Sequence, residues 1–343
     1  MTYGYLYKQN ERRFYMRFFA TFFMLISLAL VPIAADASAG SGKAHAPTVP
    51  DQTQLVNTID ELAAKFDPEV CGECHEEIYE QWKHSPKSHS FSTERVLQTW
   101  RTFIKQGLDR ETKKDWSGEN VNRMSLKSHC LWCHDPRIKY ASDDLVTDII
   151  DKIITSVDDP DQAKRDAAKK ELSKLNLNCY GCHNLFAVEG GYWSNTPSPD
   201  TIYGPTGDVD METHQENIEW ANTTLKSDYL TSVKFCARCH HGCPDSVPFW
   251  QCKTLYTSYV TNYALKGGEK RCQDCHMPED PEIEMASHSF PGVHNKKFFG
   301  DAMDLSIDGE ITHFINNYKN ELTPTLCLDV TITSNSGHGL PNG

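Results

Sequence analysis

The sequence predicts a mainly α-helical chain with much irregular structure, ending in the start of a small β element. Three observations carry that expectation. Helical periodicity recurs in short stretches, most clearly over residues 144–176. Between those stretches 20 glycines and 17 prolines cut the chain into short pieces. From Thr325 the period changes to strict alternation, Leu326, Leu328, Val330 and Ile332 against Cys327, Asp329, Thr331 and Thr333, which predicts a half-buried strand.

Taken in order, residues 1–39 read as an export leader. Lys8, Arg12, Arg13 and Arg17 precede the apolar run Phe18–Ala34, and small-residue cleavage sites follow Ala37 and Ala39. The competing reading is an uncleaved anchor, since the run is just under spanning length. It offers the only membrane contact the sequence suggests. Residues 40–67 read as a flexible leader with a short helix, and residues 68–300 as the main domain. Ile78, Tyr79 and Trp82 mark a short helix that Pro86 ends. Over 144–176 an αα-hairpin is expected. Its first helix is capped by Asp143 or Asp144 and carries Leu145, Ile149, Ile150, Ile153 and Val157. Its second starts at Pro160 and carries Ala163, Ala167, Leu172 and Leu175. With no Cys or His, this hairpin is expected to serve packing or partner docking. Residues 190–210 read as a surface loop, and Leu255–Leu265 as a helix ended by Gly267 and Gly268. Residues 301–343 read as a β element that continues past Gly343.

The formal net charge of −13 disfavours a phosphate-tracking surface, and no nucleic-acid motif is present. The outliers are 13 cysteines and 15 histidines beside a modest 39 % hydrophobic content. That balance suggests a core built partly around something other than side chains. Ten of the cysteines fall into five C-x-x-C-H units: Cys71, Cys74, His75; Cys130, Cys133, His134; Cys179, Cys182, His183; Cys236, Cys239, His240; and Cys272, Cys275, His276. C-x-x-C-H is the attachment sequence of c-type haem. Two thiols bond the porphyrin and the adjoining histidine reaches the iron. A zinc site needs no histidine after every second cysteine, and the βαβ setting of a thioredoxin-like pair is missing. First cysteines are 59, 49, 57 and 36 residues apart, which is no solenoid period. The expected cofactor is therefore five covalent haem c groups.

If every iron is six-coordinate, five more ligands are needed, and ten histidines lie outside the units: His45, His84, His89, His129, His214, His241, His288, His294, His313 and His338. His129 and His241 each abut a unit and point away from its iron, which suits them to a neighbouring haem. His45 lies in the leader, and His214 and His313 rank low. Cys243 and Cys252 suit either a local disulfide or two buried thiols. Cys327 is left for a cysteine beyond Gly343.

Several segments carry a family resemblance: "WKHSPKSH" after the first unit, "FCARCH" and "LYTSYVTNYALKGGEKRCQDCHMP", "SHSFPGVH", and "SNSGHGLPNG". Over residues 68–343 the chain resembles multihaem c-type cytochromes of the group that includes the tetrahaem electron acceptor of hydroxylamine oxidoreductase and the octahaem tetrathionate and hydroxylamine enzymes. The resemblance implies a multihaem cytochrome c core organised around stacked, mostly bis-histidine haems. It also implies His89 (or His84 in its place), His288 with His294 behind it, and His338 as distal ligands. The C-x-x-C-K unit of pentahaem nitrite reductases is missing. The expected function is one-electron transfer in the periplasm or at the cell surface. Its partners would be other redox proteins, such as cytochromes or a quinol dehydrogenase, or an extracellular acceptor; association into oligomers is compatible with this. The alternative is a multihaem oxidoreductase with one open haem acting on nitrite, hydroxylamine or a sulfur oxyanion. A haem-based sensor ranks last, since no signalling domain follows.

Overall fold

The computed structural model describes residues 54–107, 126–127, 131–189, 200–206, 214, 218, 223–241 and 255–340, all within the unit Lys43–Gly343. The leader, His45, His129, Cys130, Cys243 and Cys252 lie outside these residues. No described helix is long and apolar enough to cross a membrane.

Short helices dominate, and most begin at a side-chain cap. Thr58 and Glu61 form a reciprocal capping box on α1 (Ile59–Ala64). Asp67 caps α2 (Pro68–Gly72), with Pro68 at the first position, where its missing N–H costs nothing. Two longer helices follow, α3 (Glu76–Lys83) and α4 (Glu94–Gly107). The second C-x-x-C-H unit ends in the single turn α5 (Trp132–His134), followed by a 3-10 turn, Pro136–Tyr140.

The expected αα-hairpin is present as α6 (Asp143–Asp158) and α7 (Gln162–Leu172), with both ends shifted slightly. Ser142, not Asp143 or Asp144, caps α6, because its hydroxyl accepts from Leu145 N–H at 3.2 Å. The two aspartates sit in the first turn, where they complement the helix dipole. Asp161 caps α7, so Pro160 precedes the cap. The inward face of α7 carries Ala168 and Leu172, while Ala163 and Ala167 are exposed.

This hairpin is no appendage. Leu145, Val146, Ile149, Ile150 and Ile153 form the centre of one apolar core with Leu97, Trp100 and Ile104 of α4, Ile59 and Leu62 of α1, and Leu131, Trp132 and Tyr180 beside the second and third units. A buried ion pair fastens that core. Asp135 and Arg137 are both buried, joined at 2.7 Å; Arg137 donates to the Ala63 and Lys174 carbonyls, and Asp135 accepts from Asn176 N–H. Removing either partner from such a pair leaves an uncompensated buried charge, at a cost of about 3–5 kcal/mol.

Residues 190–210 are not loop throughout. β1 (Thr201–Gly204) pairs in parallel with β2 (Thr223–Lys226). Thr201 and Tyr203 are buried, so a β-branched and an aromatic residue spaced by two make a strand inside a glycine- and proline-rich stretch. Beyond Thr231 the packing changes character. Of α8 (Val233–His240) only Ala237 is buried, and α9 (Leu255–Asn262), α10 (Cys272–His276) and α11 (Lys296–Asp301) bury no residue. Gly267, at φ 91°, ends the 3-10 turn that follows α9, in the left-handed region glycine tolerates. Between α10 and α11, β3 (Glu279–Asp280) and β4 (Met285–Ala286) make a two-residue antiparallel pair.

The C-terminal element is a long hairpin, β5 (Met303–Asn316) against β6 (Glu321–Ser334). One face carries Leu305, Ile307, Ile311, Ile315, Leu322, Leu326, Leu328, Val330 and Ile332; the other carries Asp304, Asp308, Glu310 and a row of threonines. The alternation is as expected, but the strand is not half-buried. Ile311 is 75 % and Ile332 65 % exposed, because no described residue forms a second layer over the apolar face.

Candidate cofactor centre

Units one, three, four and five each close as a helical turn, which sets the histidine beside its second cysteine, and the described part of unit two is the single turn α5. In the first, His75 N–H donates to the Cys71 carbonyl at 2.9 Å. The third runs into a π-turn, Gly181–Leu185. The fourth forms the end of α8, capped by Ser232, and the fifth is α10 itself.

The tertiary structure packs these units together. Thiols from different units lie close enough to shift one another's ionisation in three pairs: Cys71 with Cys179, Cys133 with Cys239, and Cys236 with Cys272. Cys182 is also close enough to Cys239 for charge to be felt between them. Unit one therefore adjoins three, three adjoins four, and four adjoins both two and five. Side-chain bridges hold this order. Gln273 donates to the carbonyls of Leu230 and Ser232, at 2.9 Å each, and so ties unit five to the start of α8. Arg238 donates to Val188 O at 2.6 Å and fixes α8 to the end of unit three. Ser90 donates to His134 O at 2.7 Å and accepts from Leu177 N–H at 2.9 Å, joining units two and three.

Three unit histidines face a second imidazole. His75 faces His214, His183 faces His288 and His276 faces His338, each with ring centroids 6.3 Å apart and planes inclined by 23°, 22° and 14°. That spacing is too wide for ring contact. A metal ion about 2 Å from two imidazole nitrogens, each about 1 Å ahead of its ring centroid, puts the centroids about 6 Å apart. In four of these six rings, and in His134, the other nitrogen is occupied. Nδ1 of His183 donates to Tyr203 O (2.8 Å), of His288 to Ala286 O (2.8 Å), of His276 to Pro291 O (2.7 Å), of His338 to Gly339 O (3.0 Å) and of His134 to Ser90 O (2.5 Å). A carbonyl only accepts, so Nδ1 carries the proton and Nε2 is the free lone pair. This is the usual second-shell arrangement of a metal-ligating histidine.

Electrostatics agree. Burial holds His134 and His288 down to about 4 and His240 to about 3, and lowers His183 and His276 as well. A neutral imidazole is the form that binds metal. Burial pushes the Cys182 thiol up to about 12. These histidines lie deep enough for burial to depress them, yet His134, His183, His240, His276 and His288 all stay half-exposed. They line gaps between the units and do not pack into the apolar core. Such gaps, walled by thiols and by paired imidazoles with free Nε2, fit covalently held haem. Among the described residues no group of three or more His, Cys, Asp or Glu encloses a bare metal ion, which is what a zinc reading would require.

The other candidates sit elsewhere. His89 is exposed, bonded through Nδ1 to Ser88 Oγ (2.8 Å) and Ser85 O (3.1 Å), in a surface cleft with Arg137 and Trp82. His84 and His294 line another cleft of about 580 Å³ with Gln81. His241 is exposed at the C-terminal end of α8, edge-on to Tyr256 at 4.9 Å and 3.4 Å from Thr257 Oγ1. His313 lies exposed on the apolar face of the β-hairpin. Among the described residues no imidazole faces His134 or His240; the ring of His134 meets Trp100 edge-on at 4.7 Å. His214, ranked low from sequence, stands opposite His75. Nothing in its neighbourhood in the chain signals that, since it adjoins no cysteine unit. The carbonyls of Ser90, Tyr203, Ala286 and Pro291 were also invisible, because a backbone acceptor leaves no mark in residue type.

No family model and no curated protein matches the chain. Among solved structures, the penta-haem cytochrome c552 from Thermochromatium tepidum is similar, with a TM-score of 0.45 and 21 % identity over 82 % of this chain and 68 % of that one.

Proposed function

We propose that the chain is an exported five-haem c-type cytochrome that carries electrons. The observation that bears most weight is the set of three facing imidazole pairs, each built from one C-x-x-C-H histidine and one distant histidine at 6.3 Å. In this reading the ten unit cysteines anchor the cofactors and His75, His134, His183, His240 and His276 are proximal ligands. His214, His288 and His338 are distal ligands to the first, third and fifth haems.

Bound haem supplies one-electron exchange between ferric and ferrous iron. The chain's part is to hold the imidazoles of His134, His183, His240, His276 and His288 neutral by burial, to supply second imidazoles, and to pack the units closely enough for electrons to pass between neighbours. The thiol contacts favour a branched order, one to three to four, with branches from four to two and to five. The acidic surface suits a basic redox partner.

Mass spectrometry of the mature protein tests the cofactor, and electron paramagnetic resonance tests the role. Five covalent haem additions and only low-spin ferric signals are expected. Fewer than five additions ends the five-haem claim. A stoichiometric high-spin signal that moves on adding nitrite or hydroxylamine replaces electron carriage with catalysis at an open haem.

A further inference from the structure

One helix between the fourth and fifth units contributes no ligand and buries no residue. That helix, α9, owes its place to polar bonds and ring contacts, which run to two segments far apart in the chain. Ser258 and Asn262, and Tyr259 and Tyr263, are four apart and so lie as neighbours on the helical surface. Toward unit five, Tyr259 Oη donates to the Lys270 carbonyl at 3.0 Å, and Tyr263 Oη accepts from Lys270 N–H at 3.3 Å. Lys270 lies two residues before Cys272, so both its backbone groups are fixed at the entry to the unit. The Tyr263 ring also fills the space where a side chain at Gly268 would stand.

Toward the C-terminal segment, Ser258 Oγ accepts from Gly339 N–H at 2.7 Å, and Asn262 Nδ2 donates to the same oxygen at 2.9 Å. The Gly339 carbonyl in turn accepts from Nδ1 of His338 at 3.0 Å, so the residue that α9 holds is the one that orients the imidazole. A Cβ on Gly337 would stand 3.7 Å from Tyr263 Cγ, so the backbone just before His338 lies against that ring. His338 faces His276 of unit five with ring centroids 6.3 Å apart. One stretch of α9 and its C-terminal end thus touches the segments that carry both imidazoles.

We propose that α9 is the clamp of the fifth haem, with Ser258 and Tyr263 as positioning residues that keep His338 seated opposite His276. The inference rests on the haem reading above. A distal imidazole ligates only if its Nε2 is delivered at the right distance and angle, and partners outside the ligand shell supply that orientation. The bond from His338 Nδ1 to the Gly339 carbonyl fixes the ring only if that peptide is itself fixed, and Ser258 fixes it. The loop is also held by Asn335 N–H on the Ala302 carbonyl at 2.9 Å and by the Ser336 hydroxyl on the carbonyl of His338. Neither bond ties it to unit five. Because Lys270 and Gly339 hang on the same helix end, a displacement of unit five carries His338 with it, and the two imidazoles keep their separation.

The test uses the mature holoprotein, its Ser258→Ala, Ser258→Thr, Tyr263→Leu and Thr261→Ala variants, and His338→Ala with and without Ser258→Ala. Haem content is checked first by mass, and electron paramagnetic resonance then reads the spin state. Ser258→Ala and Tyr263→Leu should keep every haem yet turn part of one high-spin, and free imidazole added to the solution should restore the low-spin signal. Ser258→Thr keeps the hydroxyl and should match the parent. So should Thr261→Ala, since the Thr261 hydroxyl bonds back to the Thr257 carbonyl within α9 at 2.9 Å. Adding Ser258→Ala to His338→Ala should raise the high-spin signal no further, because both act at one iron. The proposal is overturned if Ser258→Ala and Tyr263→Leu stay fully low-spin, or if the double variant opens a second haem. It is also overturned if Thr261→Ala behaves as Ser258→Ala, which makes the role one of helix stability, or if both variants lose a haem, since a positioning residue leaves attachment intact. If one of the two does not mature, the other decides. A parent without covalent haem, or a His338→Ala protein that stays low-spin, refutes the ligand reading beneath the clamp, a result visible before Ser258 is judged.

Discussion

His214, His288 and His338 are half-buried, while His84, His89, His241, His294 and His313 are exposed. Among the histidines outside the units, that contrast separates the three that face a unit imidazole from five that do not. His288 is held twice: its N–H donates to Gln81 Oε1 at 2.8 Å and its Nδ1 is bonded to Ala286 O. Gln81 also donates to Asp280 at 2.7 Å, so one side chain of α3 sets the segment that places His288 opposite His183. His338 is held similarly, with Gly339 N–H donating to Ser258 Oγ of α9 at 2.7 Å. Replacing His214, His288 or His338 by alanine should leave the haem mass unchanged and turn one low-spin haem high-spin in each variant. His313→Ala should leave the paramagnetic spectrum as it was. Unaltered spectra in the first three would remove them from the ligand set. Of these, His288 and His338 were legible because they sit in distinctive segments, "SHSFPGVH" and "SNSGHGLPNG". His214 was not, because its place opposite His75 arises from a fold that brings together residues far apart in the chain.

At the scale of elements, the third unit shows how tightly the loops are fitted. Gly181 lies between Cys179 and Cys182, and a Cβ there would stand 2.6 Å from Pro136 Cγ and 3.1 Å from Leu177 Cδ1. The proline ring cannot swing away, and Pro136 opens the turn that contains the buried Arg137. Gly181→Ala should therefore cost about 1–3 kcal/mol, the usual range for overpacking a closed site. It should lower the thermal midpoint of the holoprotein, whereas an alanine at Gly300, where nothing lies within 4 Å, should not. Equal midpoints for the two variants would show that unit three is looser than the structure has it. The hairpin α6–α7 was legible in its period and in the core residues of α6, while on α7 Ala168, not Ala163 or Ala167, faces inward. Its use was not legible: absence of Cys and His suggested packing or docking, and the contacts with α4 and units two and three decide for packing. β1 escaped notice because two alternating residues in a loop-like composition carry too little signal.

Across the whole molecule, acidic charge prevails: the chain carries a formal −13, and one face of the C-terminal hairpin carries Asp304, Asp308, Glu310, Glu321 and Asp329. Rates with charged reagents should show this field. Reduction by a small cationic donor should slow as salt rises, and reduction by an anionic one should quicken, as screening within about 10 Å at 0.1 M removes attraction and repulsion alike. The same salt response for both donors would contradict a net negative approach surface.

The sequence by itself determined the chemistry: thiol pairs and their histidines are contiguous, and five residues suffice to write an attachment unit. It determined the hairpin α6–α7, the short helix α3 and the amphipathic strand β6 too, since periodicity is a local property, while α4 went unread. Only the tertiary structure decided which unit lies beside which and which distant imidazole faces which unit histidine. Those are relations between segments far apart in the chain. They follow from the packing of α4, α6 and α7 and from backbone carbonyls that every residue type possesses, so no residue pattern announces them.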